Sequence, residues 1–135
     1  MEYGVGIALA LVVAAFARLT GLDRDRAFYP TVTIVIALYY VLFAAIGESS
    51  HALGVDAIVM AAFALVAVVG FKRNLWLVVA ALAGHGVLDL FHAEVVANPG
   101  VPAWWPAFCM AFDIAAAALL AWLLLRSSIR AVPAP

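Results

Sequence analysis

The stretch that decides the fold is Gly84-His85-Gly86-Val87-Leu88-Asp89-Leu90-Phe91-His92-Ala93-Glu94. It lies inside a segment apolar enough to cross a membrane, yet it carries two histidines and two carboxylates. Ionisable groups in hydrocarbon are costly and usually face a bundle interior or a watery cavity. Residues at i, i+4 and i+7 share one helix face. His85, Asp89 and His92 have that spacing and form a polar stripe. Glu94 falls off the stripe and reads as a surface residue.

Working outward, the rest of the chain supplies the membrane. Of 135 residues, 69% are hydrophobic and 11% charged, with a mean hydropathy of +1.17. A soluble chain is only about half apolar, so this composition specifies an integral membrane protein. A bilayer core of about 30 Å needs roughly 20 apolar residues per helix. Five stretches meet that requirement, at about 3–19, 29–47, 52–70, 75–97 and 103–125. The expected fold is a single all-α domain over 1–135, an integral membrane bundle of five transmembrane helices. No internal repeat is visible. The first helix does not read as a secretory signal, since its start is not basic and no small-residue cleavage site follows.

Basic residues in short loops favour the cytoplasm. With five helices, Arg18, Arg24, Arg26, Lys72, Arg73, Arg126 and Arg130 all fall at one end. This places the N-terminus outside and the C-terminus in the cytoplasm, in a plasma membrane of bacterial type. Nothing in the basic residues suggests nucleic acid. The single cysteine, Cys109, excludes an intramolecular disulfide.

The same topology gathers the polar groups in the half away from the basic residues. Glu48, His51 and Asp56 lie around the second connection, and Asp113 lies deep in the fifth helix. A short turn at Asn98-Pro99-Gly100-Val101-Pro102 makes the fourth and fifth helices antiparallel neighbours, so His85 and Asp113 should meet near the midplane. No lysine or arginine is there to pair the carboxylates. Unpaired buried carboxylates take up protons or bind a cation. Histidine beside carboxylate suits zinc or iron.

The expected site therefore has His85, Asp89, His92 and His51 as metal ligands. Glu48 and Asp113 complete it, one of them serving as general base. Two acid-x-x-His steps, Glu48/His51 and Asp89/His92, suggest a di-metal arrangement in which Asp56 and Asp113 give single carboxylates. In a mononuclear arrangement His85 and His92, about 10 Å apart along the axis, are hard to reach from one ion. Asp89 with one His, completed by His51 or Asp113, is easier. Gly84 and Gly86 would let a neighbouring helix or flat ligand approach His85. Cys109 shares a face with Asp113 and reads as a small buried hydrophobe. Tyr39 and Tyr40 read as packing residues with polar tips, one of which is placed to reach the pocket, and Trp104 and Trp105 as an interfacial belt.

The His and Asp pattern resembles intramembrane zinc hydrolases such as the alkaline ceramidases and adiponectin-receptor-like proteins. Those have seven helices and a His-x-x-x-His pair that this chain lacks. It also resembles the histidine boxes of membrane desaturases and hydroxylases, which carry more histidines. Neither family is assigned.

The functional expectation is a small membrane metalloprotein, a metal-dependent hydrolase or oxidoreductase acting on a lipid or other apolar substrate at a site open to the outer leaflet. Membrane lipids are its expected surroundings, and a homo-oligomer is compatible with the sequence. Two other readings use the same residues. One is a proton- or cation-coupled transporter or channel subunit, which needs polar groups on both sides of the midplane. The other is a b-type haem protein, which needs two histidines at matched depth on different helices.

Overall fold

The computed structural model describes residues 1–133. Its five long helices are α1 (Glu2–Thr20), α2 (Phe28–Ile46), α3 (Ser50–Lys72), α4 (Trp76–Val95) and α5 (Trp105–Leu125). All five are long and apolar enough to span a membrane. Large side chains such as Leu11, Val12, Phe16, Ile58 and Leu65 point outward and are exposed. A water-soluble monomer rarely leaves apolar patches beyond a few hundred Å² uncovered. These faces are suited to hydrocarbon.

The ends of the helices follow local chemistry. Gly21 stops α1 in the left-handed region at φ 82°, where a residue without Cβ is at ease. A single 3₁₀ turn, Leu22–Arg24, then leads to α2. Its Asp23 is buried and accepts a 3.1 Å bond from Arg18. Pro30 sits in the first turn of α2 and Pro106 in that of α5, where a missing N–H breaks no helical bond. The Ser49 side chain caps α3 by accepting from the Ala52 N–H. That cap moves the start of α3 to Ser50, so His51 is in its first turn rather than in a loop. Glu48 stays outside, in the left-handed region at φ 52°.

The helices run up and down with short connections. α1 packs on α5, α5 on α4, and α2 forms a close hairpin with α3; α3 and, more sparsely, α2 pack on α4. Adjacent in sequence, α1 and α2 do not form a principal pair, and α5 lies behind the space between them. At the basic end, Arg26 donates to the carbonyl of Phe71 at 2.8 Å and to that of Arg130. The Leu75 N–H donates to Ala131 at 2.9 Å. The α1–α2 connection, the end of α3, the start of α4 and the segment after α5 are thus tied together there.

At the other end, the α2–α3 connection meets the α4–α5 turn backbone to backbone. A Cβ on Gly100 would lie 1.8 Å from the Phe43 carbonyl oxygen, and Gly47 presses on the same residue. Only glycine fits that approach. The contact closes the bundle at the end richer in carboxylates.

Candidate metal centre

The polar groups of the core are held by helices two to five. His85 is 1% exposed, Asp89 2% and Asp113 0%. His85 and Asp89 are one turn apart on α4, and Cys109 and Asp113 one turn apart on α5. Antiparallel packing sets these two i, i+4 pairs face to face. Gly86 makes the approach possible, since a Cβ there would be 3.2 Å from the Met110 carbonyl and 3.3 Å from Asp113 Cβ. Gly84, by contrast, has nothing within 4 Å. Of the two glycines flanking His85, one is the packing contact and the other is free.

Four donor atoms result, one each from His85, Asp89, Cys109 and Asp113, all within 4.8 Å of one another. The His85 Nδ1–H donates to Asp113 Oδ2 at 2.7 Å and lies 3.7 Å from Asp89 Oδ2. The Cys109 thiol points to Asp113 Oδ2 at 3.9 Å. Tyr40 Oη donates to Asp89 Oδ1 at 2.7 Å. Asp89 Oδ2 and Asp113 Oδ1 are left buried without a hydrogen bond. Around a tetrahedral zinc, ligands at about 2.0–2.3 Å stand about 3.3–3.8 Å apart. The group must close by about 1 Å to bring every donor onto a common ion.

A second polar pair lies beside the first. His92 Nε2–H donates to Asp56 Oδ1 at 2.9 Å. Asn98 donates to Asp56 Oδ2 at 2.8 Å and to the Tyr40 carbonyl at 3.0 Å. The Tyr40 ring stacks on His92, centroids 3.8 Å apart, and its hydroxyl reaches Asp89. Tyr40 therefore joins the two groups.

The stripe expected from α4 thus serves two groups. His85 and Asp89 face Asp113, while His92 is turned to Asp56 on α3. His51 is exposed in the first turn of α3, and Glu48 is exposed beyond the helix start. Because Glu48 is not helical, Glu48-x-x-His51 does not present two side chains on one helix face. The di-metal arrangement built on that step is not assembled, and neither residue reaches the buried group. Asp113, expected to complete the site or act as base, stands among the four potential ligands. Glu94 is exposed. Among the described residues no second histidine joins the His85 group; His92 is bonded to Asp56 and His51 is exposed.

Of the two tyrosines, Tyr40 is the one whose tip reaches the pocket. Two contributors are not legible as site residues in the sequence. Cys109 has a signal, its i, i+4 relation to Asp113, that the usual role of cysteine as a small hydrophobe masks. Asn98 reads only as part of a turn.

A cavity of about 630 Å³ lies between α1 and α2 with α5 as its floor. It runs from Leu22 and Asp25 at the basic end to Trp105 and Cys109. It touches the buried group at Cys109 alone.

Fold and site together define a five-helix membrane-type bundle with a buried His/Asp/Cys group able to hold a metal ion. The chain matches no protein-family model, no curated protein and no solved structure. The resemblances to intramembrane hydrolases and to desaturases accordingly gain no support from a relative.

Proposed function

We propose that this protein is a membrane metalloenzyme in which His85, Asp89, Cys109 and Asp113 hold one divalent ion, zinc or iron. The observation that carries the reading is the pair of orphaned carboxylate oxygens, Asp89 Oδ2 and Asp113 Oδ1, buried around one imidazole. Carboxylates in a low dielectric need a compensating charge. Among the described residues no lysine or arginine is near, because all seven stand at the end where α1, α3 and α5 finish. One imidazole cannot fully satisfy two carboxylates and a thiol. A divalent cation balances the two carboxylates, and nitrogen, oxygen and sulfur donors together suit zinc and iron. The ion would displace the proton that His85 Nδ1 otherwise gives to Asp113.

Bound there, the ion would supply Lewis acidity, polarising a carbonyl or phosphoryl oxygen of a substrate. The remaining tasks belong to the chain. Tyr40 fixes Asp89 by occupying Oδ1 and leaving Oδ2 for the ion. The Asp56–His92 pair holds the Tyr40 ring in place. Cys109 is the donor that faces the cavity. Four protein donors close a tetrahedral site, so turnover needs a fifth position, and the Cys109 side is where a substrate can reach one. An apolar substrate is favoured because the cavity walls are almost wholly apolar. We place the basic end in the cytoplasm, on the distribution of arginine and lysine, in a plasma membrane of bacterial type.

The test is elemental analysis of protein purified without added chelator. About one zinc or iron per chain, lost in Asp89→Ala and Asp113→Ala, supports the reading. Folded protein without stoichiometric metal means that protons balance the carboxylates instead.

A further inference from the structure

We propose that the groove between α1 and α2 holds the hydrocarbon chain of an anionic lipid, headgroup at the basic end and chain terminus against Cys109. The proposal goes beyond the metalloenzyme reading and does not rest on it: the alkyl terminus at Cys109 carries no carbonyl or phosphoryl group for the ion to polarise, so the lipid is assigned as a bound ligand and not as the substrate.

The groove exists because α1 leans on α5 rather than on α2. Leu9 and Val13 form one wall, Val35 and Ile36 the other, and Phe108 and Phe112 the floor. Its volume of about 630 Å³ is within the range of ligand pockets. From Phe28 to Tyr39 along α2 the rise is about 16 Å, close to half of the roughly 30 Å hydrocarbon core. That is the depth occupied by the chains of one leaflet. Its shape is a slot beside helices whose other faces also meet hydrocarbon, so lipids are the molecules that encounter its open side.

The two ends differ in chemistry. One abuts Trp105 and Cys109. The other end is lined by Leu22 and Asp25, whose Oδ1 accepts from the Ala27 N–H, and arginines with unequal commitments stand beside it in the chain. Arg18 pairs with Asp23, and Arg26 is engaged by two backbone carbonyls. Arg24 lies in the chain between the groove residues Leu22 and Asp25, is exposed, and makes no ion pair among the described residues. Basic residues at a membrane surface attract anionic headgroups. An anionic head at Arg24 directs the chain along the slot toward the metal-ligating thiol.

Photocrosslinking in phosphatidylcholine vesicles tests this. The probes are palmitic acids with a diazirine at the terminal carbon or next to the carboxylate. The terminal probe should label Phe108, Cys109 or Phe112, and the carboxylate-proximal probe residues 22–28, each saturating at one per chain. Val35→Trp and, from the opposite wall, Leu9→Trp should cut both labels at least tenfold without changing metal content. Arg24→Gln should weaken labelling several-fold. Labelling spread equally over the outward faces of α3, a reversed pattern of the two probes, or labelling indifferent to both tryptophans overturns the proposal. Loss of metal in both tryptophan variants also overturns it, since the groove would then be part of the framework. Metal-free wild-type protein that labels in the expected pattern upholds the groove while removing the metalloenzyme reading.

Discussion

Tyr40 Oη donates a 2.7 Å hydrogen bond to Asp89 Oδ1, while its ring stacks on His92 at 3.8 Å between centroids. One side chain of α2 thus sets a carboxylate of α4 and connects it to a second polar pair. A group that orients a metal ligand typically affects metal affinity by about 10–100-fold. Tyr40→Phe should weaken metal binding by that factor with the fold retained. Competition titration with a chromogenic chelator measures it. An unchanged affinity would show that Asp89 is positioned without Tyr40.

The Asp56–His92 pair belongs to the framework that carries Tyr40. Asp56→Ala leaves the His92 imidazole and the Asn98 amide without their shared acceptor. A buried polar group stripped of its partner costs about 1–3 kcal/mol. Asp56→Ala should lower the unfolding midpoint in detergent while leaving about one metal per chain. His92→Ala should likewise keep its metal, in contrast to His85→Ala, which should lose it. Equal loss of metal from the two histidine variants would return His92 to the ligand set. Glu94→Ala, at an exposed position, is the control and should change neither quantity.

This contrast also shows what could be read from the chain alone. The five helices were legible because each is a long apolar run bounded by polar or glycine-containing breaks. The meeting of α4 and α5 was legible because a five-residue turn leaves their neighbours no choice. The fate of His92 was not. It shares a face with His85 but stands about 10 Å further along the axis, where Asp56 of α3 is the neighbour. Helices that are apolar almost all round carry little information about their rotation, so hydropathy could not say which polar group of α2 or α3 faces inward. Cys109 was hidden for a different reason: as a residue type it counts as a hydrophobe until a second turn of donors is placed opposite it.

Cobalt substitution isolates the sulfur ligand. Thiolate coordination gives cobalt(II) a ligand-to-metal charge-transfer band in the near ultraviolet that oxygen and nitrogen donors lack. The wild-type protein should show it and Cys109→Ser should not, with cobalt still bound more weakly through the other three donors. The same band in Cys109→Ser would remove Cys109 from the site.

Because the ligands bind metal in their deprotonated forms, acid should release the ion. Each ligand regains a proton as the metal leaves, so affinity should rise with pH until the ligands are deprotonated. Equilibrium dialysis against a fixed metal concentration across a pH series reads this directly. Metal content independent of pH over that series would place the bound ion elsewhere.

The close approach at the carboxylate-rich end should be intolerant of a methyl group. A Cβ at position 100 would lie 1.8 Å from the Phe43 carbonyl oxygen, and backbone offers little room to yield. Gly100→Ala should destabilise the bundle by more than 1 kcal/mol, about the size of the helix propensity gain expected for Gly84→Ala, which meets open space. Thermal unfolding in detergent should rank Gly100→Ala below the wild type and Gly84→Ala at or above it.

The central claim is that buried Asp89 and Asp113 are balanced by a metal ion. Elemental analysis of the native protein, run beside the His85→Ala, Asp89→Ala and Asp113→Ala variants after each is shown to be folded, tests it most directly. The account predicts about one zinc or iron per wild-type chain and less than a tenth of that in each variant. Folded wild-type protein with no stoichiometric metal, or variants that retain it in full, would contradict the account.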